Sequence, residues 1–98
     1  TNYPTLYRVL TNERISINKP VFRIGKEKSY VDYFVSNNNT ISRSHADIIT
    51  RNNRYFIMDL NSKNHTYIDE RIIPAKCEVE MYNGCKIRLS NEEFVFEI

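Results

Sequence analysis

The sequence predicts an all-β domain folded as a sandwich, and three observations carry that expectation. Twelve Ile, seven Tyr and five Phe stand against four Leu and two Ala. β-Branched and aromatic side chains suit a pleated surface, and the strongest helix formers are scarce. Apolar runs are short, recur at intervals of roughly eight to twelve residues between turn-forming stretches, and show no helical periodicity. Ninety-eight residues hold a modest core but not a second one, so residues 1–98 are read as a single domain.

The strands follow in order. Leu6 to Leu10 and Arg14 to Asn18 alternate around the polar turn Thr11-Asn12-Glu13 and predict a hairpin. Val21-Phe22-Arg23-Ile24 is a third strand, stopped by Gly25, with Lys26-Glu27-Lys28-Ser29 as a charged loop. Tyr30 to Val35 is an apolar segment interrupted by Asp32, and Ser36-Asn37-Asn38-Asn39 is turn-prone and tolerant of left-handed backbone. Ala46 to Thr50 and Tyr55 to Leu60 flank Arg51-Asn52-Asn53-Arg54, a strong hairpin signal. Asn61 to Thr66 is a second polar loop before the strand Tyr67-Ile68. Asp69-Glu70-Arg71 turns into Ile72-Ile73, Pro74 breaks the ladder, and Cys77 to Met81 alternates strictly. Asn83-Gly84 is a turn, and Lys86 to Leu89 pairs with Phe94 to Ile98 across Ser90-Asn91-Glu92-Glu93. The total is ten or eleven strands.

Charge narrows the function. A formal net charge of +2 is too small by itself for a nucleic-acid binder, which needs a basic stripe. The distribution says more: residues 23 to 68 balance to +3 and residues from 69 onward to −3, so an anionic ligand over the middle of the chain is electrostatically reasonable. Within that middle lies Thr40-Ile41-Ser42-Arg43-Ser44-His45-Ala46-Asp47, whose hydroxyls, guanidinium and turn N–H groups make a donor array of the kind that binds phosphate. Ser42 and His45 are also the parts of a nucleophile and its base, but residues three apart in an extended or turning segment seldom converge as activation requires. His45 is read instead as a buried imidazole that pins the loop. Cys77 and Cys85, eight apart and far from both His, predict two reduced, partly buried thiols and no zinc site. Beginning at Thr1 with no leader and no long apolar run, the sequence predicts neither a signal peptide nor a membrane span, and a cytoplasmic domain cut from a longer protein.

Together these residues resemble a forkhead-associated (FHA) domain over nearly the whole chain. Phe22-Arg23-Ile24-Gly25-Lys26 resembles the family's strand ending in Gly-Arg, and Ile41-Ser42-Arg43-Ser44-His45-Ala46 its Ser-x-x-His loop. Asp59-Leu60-Asn61-Ser62-Lys63-Asn64-His65-Thr66-Tyr67 resembles its Asn-Gly-Thr loop, and Tyr82-Asn83-Gly84 a late turn. The resemblance implies an FHA-type β-sandwich of about eleven strands with binding loops at one apex, a phosphothreonine-containing protein or peptide as partner, and neither enzymatic activity nor a cofactor. It further implies a monomer that binds neither nucleic acid nor membrane.

Carried over by position, the resemblance implies that Ser42 hydrogen-bonds the phosphate from its hydroxyl, with Arg43 beside it and Lys26 as second cation. Asn64 clamps the peptide backbone, Lys63 adds phosphate or peptide contacts, and Gly25, His45 and Thr66 are scaffold. The phosphothreonine methyl goes to a small pocket beside the Ser42 and Asn64 loops. Two positions depart from the family. Lys26 stands where Arg is usual, keeping the charge but not the planar fork. His65 stands where Gly is usual, with less easy access to positive φ. These departures keep open a phosphate-independent interaction module on the same scaffold. An Arg-rich β-surface for single-stranded nucleic acid, stacking bases on Tyr33, Tyr55 and Tyr67, is disfavoured by the near-neutral charge, and those tyrosines are read as core or strand-face residues.

Overall fold

Period-2 alternation of apolar residues gives strands one buried face each, and two sheets that share those faces make the core. The computed structural model describes residues 2–98. Its strands are β1 Thr5–Arg8, β2 Glu13–Ser16, β3 Val21–Gly25, β4 Tyr33–Phe34, β5 Ala46–Arg51, β6 Arg54–Asp59, β7 Thr66–Ile68, β8 Arg71–Ile72, β9 Glu78–Glu80, β10 Lys86–Leu89 and β11 Glu92–Glu97. A six-stranded sheet runs β2-β1-β11-β10-β7-β8, and a five-stranded sheet runs β4-β3-β5-β6-β9. Neighbours are antiparallel except the short parallel pair β3 and β4. Phe22, Ile24, Ile48 and Ile57 from one sheet meet Leu6, Ile87, Leu89, Phe94 and Phe96 from the other, all buried. Each such side chain contributes about 1.5–3 kcal/mol by leaving water. No helix among the described residues is long and apolar enough to cross a membrane.

The turns are built with few glycines. Asn52 and Asn53 join β5 to β6 at φ 54 and 61, and Asp69 and Glu70 join β7 to β8 at φ 48 and 67. These two-residue left-handed turns match the twist of the strands they connect. Ten non-glycine residues in the described chain take positive φ, five of them Asn, a residue enriched in that region. His65 is another, at φ 70.

Register places the ends of β1, β3, β6 and β10 and the starts of β5, β7 and β11 at one end of the sandwich. Ala46 lies between Ile24 and Asp59, and Leu89 between Thr66 and Glu92. The predicted strands are present, with differences at their ends. The closing turn is only Ser90-Asn91, with Ser90 at φ 57, and Glu92 and Glu93 belong to β11. Val9 and Leu10 fall in the first turn, Leu10 largely exposed. The charged loop after β3 closes on a single 3-10 turn, Lys28–Tyr30. Of the thiols only Cys85 is buried; Cys77 is exposed, and burial pushes the Cys85 thiol up to about 11. Tyr33, Tyr55 and Tyr67 are half-buried, with Tyr33 and Tyr55 against the core and Tyr67 under Arg88 on a strand face.

Two of the residues at these strand ends are buried charges. Arg8 is fully buried at 0 % exposure and Glu92 is at 3 %. Arg8 Nε and Nη2 donate to the two Glu92 carboxylate oxygens at 2.9 and 3.2 Å. Desolvation opposes both charges, and the bidentate bonds outweigh it: the guanidinium is held charged, and the Glu92 carboxyl stays below its ordinary pKa.

Removing one member strands the other: Glu92 loses its paired cation, and Arg8 keeps only the half-exposed Glu13 carboxylate at 3.6 Å. Arg8→Met and Glu92→Leu are therefore each expected to cost roughly 3–5 kcal/mol, whereas Arg8→Met/Glu92→Leu together should lie within about 2 kcal/mol of the parent in stability. Urea denaturation of both single variants and the double variant measures this coupling. Simple additivity of the two single losses would contradict it.

Candidate functional site

The predicted residues converge at the end of the sandwich where β3, β5, β6 and β7 meet. Gly25 ends β3, and a Cβ built on it would stand 2.1 Å from the Arg43 carbonyl oxygen and 3.0 Å from that of Ser42. Only glycine lets the two backbones approach this closely. The approach is used, because the Lys26 N–H donates to the Ser42 and Arg43 carbonyls at 3.0 and 3.1 Å, and the Glu27 N–H to the Arg43 carbonyl at 3.2 Å.

His45 is fully buried and joins the two polar loops. Its Nδ1 accepts the Ser42 N–H at 3.0 Å, and its Nε2 donates to the His65 carbonyl at 2.9 Å. That carbonyl also accepts the Ser90 N–H at 3.0 Å. Accepting at Nδ1 requires a neutral ring, and burial, the largest influence, lowers its pKa. The imidazole thus meets the backbone amide of Ser42 and is no base for its hydroxyl. Ser42 Oγ accepts the Lys63 N–H at 3.1 Å, leaving its own O–H to donate outward. Asn64 Nδ2 donates to the Thr40 carbonyl at 2.9 Å, a further tie between the loops.

Asp59, Ser62 and Thr40 complete the frame and were not singled out from sequence. Asp59 Oδ1 accepts from Ser62 Oγ at 2.5 Å and Thr66 Oγ1 at 2.6 Å, and Oδ2 from the Ser62 N–H at 3.0 Å. Burial alone would raise this carboxyl's pKa; the three hydrogen bonds outweigh it and hold the group below its ordinary value. Thr66 is thereby tied into the frame, its hydroxyl turned to the buried Asp59.

The charge pattern follows from the pairing. Among the described residues, eight of the fourteen cations form ion pairs. Four of the others, Lys26, Lys28, Arg43 and Lys63, lie in the loops of this end. Lys26 Nζ donates to Asn39 Oδ1 at 2.6 Å, Lys28 lies over the Phe34 ring, and Arg43 and Lys63 are exposed. Glu27 is the carboxylate beside them and hydrogen-bonds Ser29. A hydroxyl donor and several cations outside the ion pairs thus share one rim, the chemistry that favours an anion.

Because the unfolded imidazole takes up a proton first on acidification, stability should fall as pH drops below the ordinary His value of 6.5 and continue to fall until the folded ring protonates. Imidazole C–H resonances followed by NMR should place the His45 midpoint below 6.5; a midpoint at or above that value would contradict a ring kept neutral by burial.

The FHA domain family matches residues 22–90. Among solved structures, the chain is similar to Mycobacterium tuberculosis EmbR in complex with a low affinity phosphopeptide, at 26% identity and TM-score 0.91. That match covers 100% of this chain and 25% of the other, so the chain spans a quarter of EmbR's length. It is similar also to an FHA domain from Chlamydia trachomatis, at 23% identity and TM-score 0.86, covering 97% and 96% of the two chains. A third likeness is to the MEK1 FHA domain in complex with a HOP1 phosphothreonine peptide, at 19% identity and TM-score 0.85, covering 100% and 98%. No curated protein matches in sequence. With more than half of its residues matched by the family and its two loops tied through a buried His beside a strand-ending Gly, the chain belongs to the FHA domain family.

Proposed function

We propose that this domain is a non-enzymatic phosphopeptide-recognition module that reads phosphothreonine in a partner protein or elsewhere in its own parent chain. The observation that carries the reading is the Ser42 hydroxyl, fixed by Lys63 N–H and the His45-anchored backbone, on a rim where Lys26, Arg43 and Lys63 have no carboxylate partner among the described residues. Phosphate brings roughly −1.5 to −2 charge and three acceptor oxygens, which such a rim can satisfy. EmbR and the MEK1 FHA domain, both solved with phosphopeptides, support the class of ligand. Ser42 and Arg43 hold the phosphate in this reading, Lys26 supplies a second cation, Lys63 adds a contact, and Asn64 fixes the peptide backbone. Gly25, His45 and Thr66 act as scaffold.

Phosphothreonine peptides are expected to bind and their unphosphorylated forms not to. Ser42→Ala and Arg43→Ala should each cost about 1.5–3 kcal/mol, tenfold or more in affinity. Calorimetry with both peptide forms checks this; equal affinities would favour a phosphate-independent interaction surface instead.

Selectivity for threonine rests on one methyl, since the phosphate is common to both residues. Burial of a methyl contributes about 0.8 kcal/mol, and shaped pockets reach roughly 1–3 kcal/mol. Phosphothreonine should therefore be preferred over phosphoserine by about fivefold or more, and Asn64→Ala should weaken both while narrowing the gap. Matched peptides titrated at one salt concentration decide it, equal affinities marking a generic phosphate site.

A further inference from the structure

Beyond their mutual bonds, Arg8 and Glu92 hydrogen-bond β4 and the segment that follows it toward β5, and Arg8 Nη1 also lies 3.6 Å from Glu13 Oε1 on β2. Arg8 Nη2 donates to the Ser36 carbonyl at 2.6 Å and Nη1 to Ser36 Oγ at 3.2 Å and the Tyr33 hydroxyl at 3.0 Å. Glu92 Oε1 accepts from Asn38 Nδ2 at 2.9 Å. Asn38 passes the constraint on: its Oδ1 accepts both the Thr40 N–H at 3.0 Å and the Thr40 hydroxyl at 2.6 Å. Thr40 in turn receives Ser90 Oγ on its hydroxyl at 2.7 Å and Asn64 Nδ2 on its carbonyl at 2.9 Å. Ser42, two residues later, is the proposed phosphate donor.

Two physical points give this chain of bonds a role. A segment without regular structure loses its fixed geometry unless bonds along it offset its conformational entropy. A buried ion pair, by contrast, adds little stability over apolar residues of similar volume, so stability alone does not account for the Arg8–Glu92 pair. Its further role lies in what it holds. We propose that Arg8 and Glu92 are positioning residues for the phosphate-reading loop, acting through Asn38 and Thr40 to set Ser42 and Asn64 relative to one another. The proposal rests on the phosphothreonine reading for its ligand, but the loop geometry can be read without ligand.

The test compares Asn38→Ala and Arg8→Met/Glu92→Leu with the parent and with Ile87→Val, a core truncation on β10 that serves as a stability control. A phosphothreonine peptide selected from a degenerate library on the parent domain is titrated into each, and amide hydrogen exchange is followed at Thr40, Ser42 and Lys63. Both loop variants are expected to lose about tenfold in affinity and to exchange faster at these amides, while Ile87→Val does neither. The double variant is the sharper of the two, since it removes the loop anchors without leaving a buried charge. Affinity within about twofold of the parent, or an equal loss in Ile87→Val, overturns the proposal. If the parent binds no phosphothreonine peptide and the three amides still respond, the ligand reading fails and the loop coupling stands. Unchanged exchange sinks the coupling whatever the ligand.

Discussion

A ring nitrogen can accept a hydrogen bond only if it carries no proton, and the binding end of this domain is organised on that constraint. His45 Nδ1 takes the Ser42 amide while Nε2 gives its proton to the His65 carbonyl, so one neutral ring fixes two loops from different parts of the sequence. Burial supplies the neutrality. The His65 carbonyl reaches the ring from a residue at φ 70, and that carbonyl also anchors the Ser90 amide. Positive φ at a residue with a Cβ is thus accommodated where it serves two hydrogen bonds.

Below this ring the frame is held by buried charge. Asp59 gathers Ser62 and Thr66 under one loop, and the Arg8–Glu92 pair lies under the other. Each ion is desolvated and then re-solvated by protein donors or acceptors, the condition under which buried polar groups rigidify their surroundings. The loops carry little apolar surface and cannot be ordered by a core of their own. Polar anchors do that work.

What could be read from sequence followed from local chemistry. The β5–β6 hairpin was legible because Asn52-Asn53 is a turn signal between alternating strands, and Gly25, Ser42, His45 and Asn64 were legible as short motifs in a fixed order. The buried charges were not, because a charged residue in a short run is ordinarily assigned to solvent. A usable signal was nonetheless present in strand parity: Arg8 shares its face with Leu6, Glu92 with Phe94 and Phe96, and Asp59 with Ile57, all buried. Treating Glu92 and Glu93 as turn residues on polarity alone also lengthened the final turn by two residues. The 3-10 turn at Lys28–Tyr30 has no period to detect over three residues.

The pairing of most cations has a consequence for how a partner arrives. On the sheet faces Arg51 meets Glu78 and Arg54 meets Glu80 at 2.7 and 2.6 Å, so those charges largely cancel at a distance. Lys26, Arg43 and Lys63 form none of these ion pairs, and their charge stays on the loop end. For a phosphorylated ligand of the kind proposed, those cations would bias approach toward the loop end within the roughly 8 Å over which physiological salt lets the field reach. Encounter frequency is then governed by ionic strength, while residence time is governed by the hydrogen bonds made after arrival. In the proposed reading the three cations act on both, whereas the uncharged Ser42 and Asn64 act on residence alone.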